Sequence, residues 1–200
     1  MNIDLNPPAD PWAFFTEWFA LAKQHESVWP EAMMLATVGA SGMPTTRALL
    51  MKDFDSSGIV FYTNRESRKG QELSAHAKAG ICFYWKSIQR QVRIEGTITL
   101  VSNAESDAYF ATRPRGSQIG AWASRQSRPL KSRAMLEQNV RDVEKEYAGR
   151  DVLRPPHWGG YRLTPTYFEF WQEREYRLHD RITYSRASNA DAWVIERIFP

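Results

Sequence analysis

The chain has 200 residues, 42% hydrophobic and 13% aromatic, which suits one domain with a sizeable core and excludes a disordered chain. No apolar run reaches membrane-span length, the start lacks a signal peptide's charged and apolar regions, and the lone Cys82 excludes an intrachain disulfide, so a soluble cytoplasmic protein is expected. The net charge of +3 is mild, but between Asp107 and Glu137 there are six cations and no carboxylate, a local field suited to a phosphorylated partner.

Residues 1–9 are polar and Pro-containing and are expected to be loosely ordered, ahead of a single domain over residues 10–200. Asp10-Pro11 opens a helix to about His25, with Phe15, Trp18, Phe19 and Ala22 as its apolar stripe. Residues 33–38 read as a strand turned back by Gly39-Ala40-Ser41-Gly42. Residues 45–52 and 59–63 read as the two strands of one hairpin, closed by the polar stretch 53–58. Ser67 caps a helix to about Ala77 and places Arg68 and Lys69 in its first turn, where cations are unfavourable beside the helix dipole. An anion shared between them resolves this. A phosphate held by backbone N–H groups, Ser67, Arg68 and Lys69, with Arg47 and Lys52 nearby, would fit, and solvated charges are the alternative.

Residues 79–85 form a nearly continuous apolar strand, expected to be buried on both faces and to hold Cys82 as an inert thiol. Residues 91–100 alternate, with Val92, Ile94, Gly96, Ile98 and Leu100 on one face. Ser102 and Glu105 form a capping box for a helix to about Thr112, which Arg113-Pro114-Arg115-Gly116 breaks. A short helical turn is expected over 117–124. A long amphipathic helix over 130–147 follows, with Glu137 and Arg141 as an i,i+4 pair and Gly149 ending it. Residues 154–160 read as a loop, and 161–163, 167–171, 177–185 and 192–197 as strands. Seven or eight strands with short turns and flanking helices predict a mainly β, α+β chain: a small closed or partly closed antiparallel barrel.

There is no Gly-rich dinucleotide fingerprint, phosphate loop, paired cysteine or metal-spaced histidine, so no metal is expected, and an enzyme on this chain would draw its chemistry from an organic cofactor. On an extended chain Arg177, His179 and Arg181 share one face; a cationic site and a wet edge strand both account for that. Tyr109 and Arg113 share a helix face with Ser117 one turn on, which would make a phosphate clamp. Gln91, Gln126 and Ser127 add neutral hydrogen-bonding groups, although each singly reads as an ordinary surface residue.

At this point the chain resembles the pyridoxamine (pyridoxine) 5′-phosphate oxidase family. The motifs are Arg47-Ala48-Leu49-Leu50-Met51-Lys52, Val60-Phe61-Tyr62-Thr63-Asn64, Ser67-Arg68-Lys69, Arg90-Gln91-Val92, Tyr109-Phe110 through Arg113-Pro114-Arg115, Ser117-Gln118-Ile119-Gly120-Ala121-Trp122, Arg125-Gln126-Ser127, Phe170-Trp171-Gln172 and Arg177-Leu178-His179-Asp180-Arg181. The resemblance implies an FMN-binding split β-barrel, a homodimer with flavin between subunits, and O2-driven oxidation of pyridoxamine 5′-phosphate and pyridoxine 5′-phosphate to pyridoxal 5′-phosphate. By matching position, FMN would be contacted by Arg47, Ala48, Leu49, Leu50, Met51, Lys52, Tyr62, Thr63, Arg68, Lys69, Gln91, Gln126, Ser127, Trp171 and Arg181. Substrate would be contacted by Lys52, Tyr109, Arg113 and Ser117 at its phosphate and by Arg177, Leu178 and His179 around the ring, with Arg177 and His179 catalytic. An N-terminal arm with an Arg and a Tyr, common in the family, has no expected counterpart here, and Glu173-Arg174-Glu175-Tyr176 replaces a segment that is often Gly-containing. A phenazine-type oxidase on the same fold and a non-catalytic flavin- or nucleic-acid-binding module are the rival expectations.

Overall fold

The computed structural model describes residues 5–200. Nine antiparallel strands form one curled sheet in the order β2-β1-β5-β6-β7-β4-β3, with β8 on β7 and β9 on β8. In chain order these are β1 (Ala32–Val38), β2 (Pro44–Leu50), β3 (Asp53–Asp55), β4 (Gly58–Asn64), β5 (Lys78–Trp85), β6 (Arg90–Leu100), β7 (Trp158–Gln172), β8 (Asp180–Ser185) and β9 (Val194–Arg197). The helices are α1 (Pro11–His25), α2 (Arg68–Ala75), α3 (Asn103–Thr112), α4 (Arg115–Ala123) and α5 (Arg133–Glu146).

The sheet curls shut where the chain leaves β2. Met51 N donates to Glu31 O on the β1 side, and Lys52 N donates to Val60 O on β4. Consecutive residues thus bond to opposite edges of the sheet. This corrects the expected hairpin: β2 pairs with β1 along its length, and only Asp53–Asp55 pairs with β4. The Asp55 carboxylate holds that tight turn by accepting from Ser57 N and Gly58 N. Gly58 has φ +143°, and a Cβ there would lie 2.1 Å from Leu163 O, so no other residue fits.

α1 fills the barrel end. Asp10 caps it by accepting from Trp12 N at 3.0 Å, and Trp12, Phe14, Phe15, Trp18 and Ala22 are buried. Phe14 stacks on Phe170 at 4.4 Å, and Phe15 meets Phe83 at 5.4 Å. Burying each such ring stabilises the fold by roughly 1.5–3 kcal/mol. Residues 1–4 of the segment expected to be loose lie outside the described residues. The rest is tied down: Leu5 packs on the core, its carbonyl accepts from Arg197, and Pro8 O accepts from Tyr184 Oη.

Several other expectations change. β5 alternates rather than burying both faces; Ile81, Phe83 and Trp85 point inward, while Tyr84 is 56% exposed. A single chain covers only one side of that strand. A bulge at Glu95/Gly96 shifts the register of β6, and Leu100 is exposed. The expected loop holds over 154–157, but residues 158–160 and the two expected short strands form one 15-residue strand, β7, whose Pro165 sits opposite the bulge. The turn expected at 117–124 is the full helix α4. In α5, Arg133 rather than Arg141 pairs with Glu137, and Arg141 bonds Gln138. β8 begins at Asp180, because Tyr176 (φ 57°) and Arg177 (φ 60°) adopt the left-handed conformation, so Arg177 does not share an extended face with His179 and Arg181.

Candidate functional site

A cleft of about 400 Å³ opens between the β2–β4 closure and the α3–α4 corner. It collects Leu49, Lys52, Tyr62, Thr63, Tyr109, Arg113, Ser117 and Gln126 from the expected site, so the residues expected to form the clamp line one cleft. The local sequence explains why. Ser102 caps α3 by accepting from Glu105 N, which sets Tyr109 and Arg113 one turn apart. Arg113 ends α3, Pro114 starts a new direction, and Ser117 falls in the first turn of α4. The α4 end is pinned by Trp122 Nε1 donating to Leu153 O and by His157 Nε2 at 3.0 Å from Ala121 O.

One wall is aromatic. Tyr62 stacks on Tyr109 at 4.1 Å and on Trp158 at 5.3 Å, with interplanar angles of 15° and 9°. Gly160 makes room for this, since a Cβ there would lie 2.6 Å from the Tyr62 ring. Burial, then the nearby Glu105 charge, pushes the Tyr62 phenol up to about 12, and burial also raises Tyr109. Both phenols therefore stay protonated at neutral pH and can donate to an anion. Arg113 is held against the rings, and burial pushes its guanidinium below the ordinary value. Its Nη1 is buried with no hydrogen-bond partner among the described residues, as an anion-binding donor would be.

Next to the cleft lies a second cation, Lys69, which is buried. Lys69 Nζ reaches only neutral oxygens, of Thr63 (3.4 Å), Gln126 (3.4 Å) and Ser67 (3.5 Å). It makes no ion pair among the described residues, and burial, then Arg47, pushes its ammonium down. Ser67 caps α2 as expected. Ser127 (φ 68°) follows Gln126 in the loop after α4. These groups suit an anionic cofactor end.

Arg47 behaves differently. Its Nη1 donates to Leu35 O and Thr37 Oγ1, and its Nη2 to Thr45 Oγ1 and Glu72 Oε2, while Nε has no partner among the described residues. Arg68 Nε also binds Glu72, at 2.9 Å. The cations expected to share a phosphate are thus partly answered by a protein carboxylate. Elsewhere in the 47–52 stretch, Met51 turns into the core, Ala48 is exposed, and Leu50 is partly buried. Burial alone would raise the Glu72 pKa, but hydrogen bonds from Thr37, Thr45, Arg68 and Arg47 hold it down at about 2. A depressed folded-state pKa contributes stability that is present above the ordinary value of 4.5 and lost as pH falls toward about 2. Glu72→Gln should therefore be less stable than wild type at pH above about 4.5, with the gap closing toward pH 2 in thermal unfolding; a gap independent of pH would contradict this.

The remaining expected residues gather elsewhere. Gln91, Trp171 and Arg181 lie opposite one another across β6, β7 and β8. Their neighbours Val92, Phe170 and Ile182 are buried, so this row faces outward. Arg181 is fixed by the buried Glu169, at 2.9 Å from Nε and 2.8 Å from Nη2, and donates to Phe199 O. His179 packs 4.6 Å from the Trp171 ring, and its Nδ1 accepts from Arg174 N. Arg177 and Leu178 are exposed beside them. None of these six residues lines the cleft; His179 and Arg181 border a separate hollow of about 300 Å³ near the C-terminus. Glu72, Glu169 and Trp158 were not anticipated. The first two carry no local signal, and Trp158 showed itself only as an aromatic before Gly159-Gly160.

Residues 21–147 match the family model described as pyridoxamine 5′-phosphate oxidase, and residues 158–200 match one described as pyridoxine 5′-phosphate oxidase C-terminal dimerisation region. Over 197 residues the chain is 50% identical to the pyridoxine/pyridoxamine 5′-phosphate oxidase of Brucella canis, covering 98% of this chain and 97% of that one. The protein of the same name from Brucella suis matches equally. Among solved structures, PhzG from Burkholderia lata, in complex with tetrahydrophenazine-1-carboxylic acid, superposes with a TM-score of 0.91 at 29% identity over 100% of both chains. A pyridoxamine 5′-phosphate oxidase-related, FMN-binding protein from Nostoc punctiforme shares the fold, with a TM-score of 0.75 at 21% identity over 96% of this chain and 98% of that one.

Proposed function

The chain belongs to the pyridoxamine 5′-phosphate oxidase family, with its FMN-binding split β-barrel, and on that premise we propose that it oxidises pyridoxine 5′-phosphate and pyridoxamine 5′-phosphate to pyridoxal 5′-phosphate in the cytoplasm. O2 is the final acceptor, giving hydrogen peroxide and, from the amine, ammonia. The observation that carries the reading is two cations at the cleft that make no ion pair among the described residues: half-buried Arg113, whose Nη1 is buried and unpartnered, and buried Lys69 beside it. Two phosphates, one on the cofactor and one on the substrate, would answer them.

The residues present fit FMN. Lys69, Arg68, Thr63, Gln126 and Ser127 would hold its phosphate end, and Tyr62 with the 47–52 stretch would flank it. When bound, FMN supplies a two-electron acceptor for the substrate C4′ hydride. Lys52, Tyr109, Arg113 and Ser117 bind the substrate phosphate and so fix C4′ in position. Arg177 and His179 would orient the pyridine ring and exclude water from it. Because Gln91, Trp171, Arg177, His179 and Arg181 lie outside the cleft, and residues 158–200 match a dimerisation region, the complete site is built from two copies of the chain.

The likeness to PhzG favours a second reading, an oxidase of a carboxylate-bearing fused ring. Aerobic turnover separates the two. FMN-supplemented protein should form pyridoxal 5′-phosphate from both phosphate esters and no aldehyde from unphosphorylated pyridoxine. No product from either ester, or equal turnover of pyridoxine, would overturn the proposal.

A further inference from the structure

We propose that Trp158 is a positioning residue for the anion clamp: its indole face carries the Arg113 guanidinium and aims it at the ligand phosphate. This rests on the reading of the cleft given above. Three arginines of the expected site are immobilised, and in two different ways. Arg47 is held by Glu72 and Arg181 by Glu169, each carboxylate buried and taking up guanidinium donors. Arg113 makes no ion pair among the described residues. Its guanidinium carbon lies 4.7 Å from the Trp158 ring and 5.5 Å from the Phe110 ring. A carboxylate would fix Arg113 equally well but would cancel its charge and occupy its donors. An aromatic face fixes the plane and leaves the N–H groups free for a ligand.

The platform itself is rigid. Trp158 is 6% exposed and stacks in one series with Tyr62 and Tyr109. Its carbonyl accepts from Arg154 Nη1 at 2.6 Å. Arg154 also pairs with Asp107 and donates to Asn103 Oδ1, both on α3, the helix that ends at Arg113. The platform and the helix bearing the guanidinium therefore move as one body.

The test is a double-mutant cycle on FMN-loaded protein, reading the dissociation constants of pyridoxal 5′-phosphate and of pyridoxal by calorimetry. Trp158→Leu should weaken the ester about tenfold and leave pyridoxal unchanged. In an Arg113→Ala background the same change should add less than about twofold, because the guanidinium it positions is gone. Should Trp158→Leu fail to retain flavin, Trp158→Phe carries the test, with about threefold weakening that likewise vanishes without Arg113. Equal weakening in both backgrounds, or none, overturns the inference while the functional reading stands. A wild type that binds pyridoxal as tightly as its phosphate overturns both.

Discussion

Lys69→Met should weaken FMN binding by about two to three orders of magnitude and leave the flavin-free protein at least as stable as wild type. The two halves of this expectation share one cause. Lys69 is 7% exposed, with its ammonium in contact only with neutral oxygens at 3.4–3.5 Å, and burial depresses its pKa. A buried charge without a counter-ion costs folding free energy, and Met keeps most of the methylene packing without that cost. Once a phosphate arrives, the same charge becomes half of a desolvated ion pair, and removing one partner of such a pair typically costs about 3–5 kcal/mol. Flavin fluorescence quenching gives the affinity, and thermal unfolding without flavin gives the stability. An unchanged dissociation constant, or a lower melting temperature, would show that Lys69 is structural.

The features legible in the sequence are the ones set by neighbouring residues. Asp10, Ser67 and Ser102 each cap the helix that follows, because the capping oxygen and the N–H it accepts from are two or three residues apart. The meeting of Tyr109, Arg113 and Ser117 was legible for the same reason, since one helix and one Pro-marked corner bring them together. What depends on distant pairing was not. The strand after Gly42 alternates equally well against β1 or β4, and only the closure at Met51 and Lys52 decides which. Glu72 lies 25 residues from the Arg47 it binds, and nothing near either one marks the pair. The left-handed backbone at Tyr176 and Arg177 was hidden because neither residue favours it, so an extended strand was the natural reading. Gln91 and Arg181 stood out as polar groups in the sequence and the family resemblance added Trp171, while their alignment in one outward row emerged only from the sheet register.

That register leads to the second large effect. The cleft gathers Lys52, Tyr109, Arg113 and Ser117, proposed above to bind the substrate phosphate, while Arg177, Leu178 and His179, proposed to surround the ring, lie outside it just before β8. If each active site takes its clamp from one copy and its ring-facing groups from the other, two defects on different chains can be segregated. Arg113→Ala should cost substrate binding, since a charge-assisted contact to phosphate is worth about 1.5–3 kcal/mol. Arg177→Ala should lower turnover with flavin retained, since Arg177 stands apart from Lys69 and its neighbours. Each variant alone should have turnover at limiting substrate reduced by about tenfold to a hundredfold.

The most direct test mixes the two. Arg113→Ala and Arg177→Ala chains are co-expressed with different tags, or unfolded and refolded together, and assayed with pyridoxine 5′-phosphate. Half of the randomly paired dimers carry both defects in one site and none in the other, so activity should rise to about one quarter of wild type. Activity that stays at the average of the two separate variants would mean that each chain builds its site alone, and the two-copy account would fall.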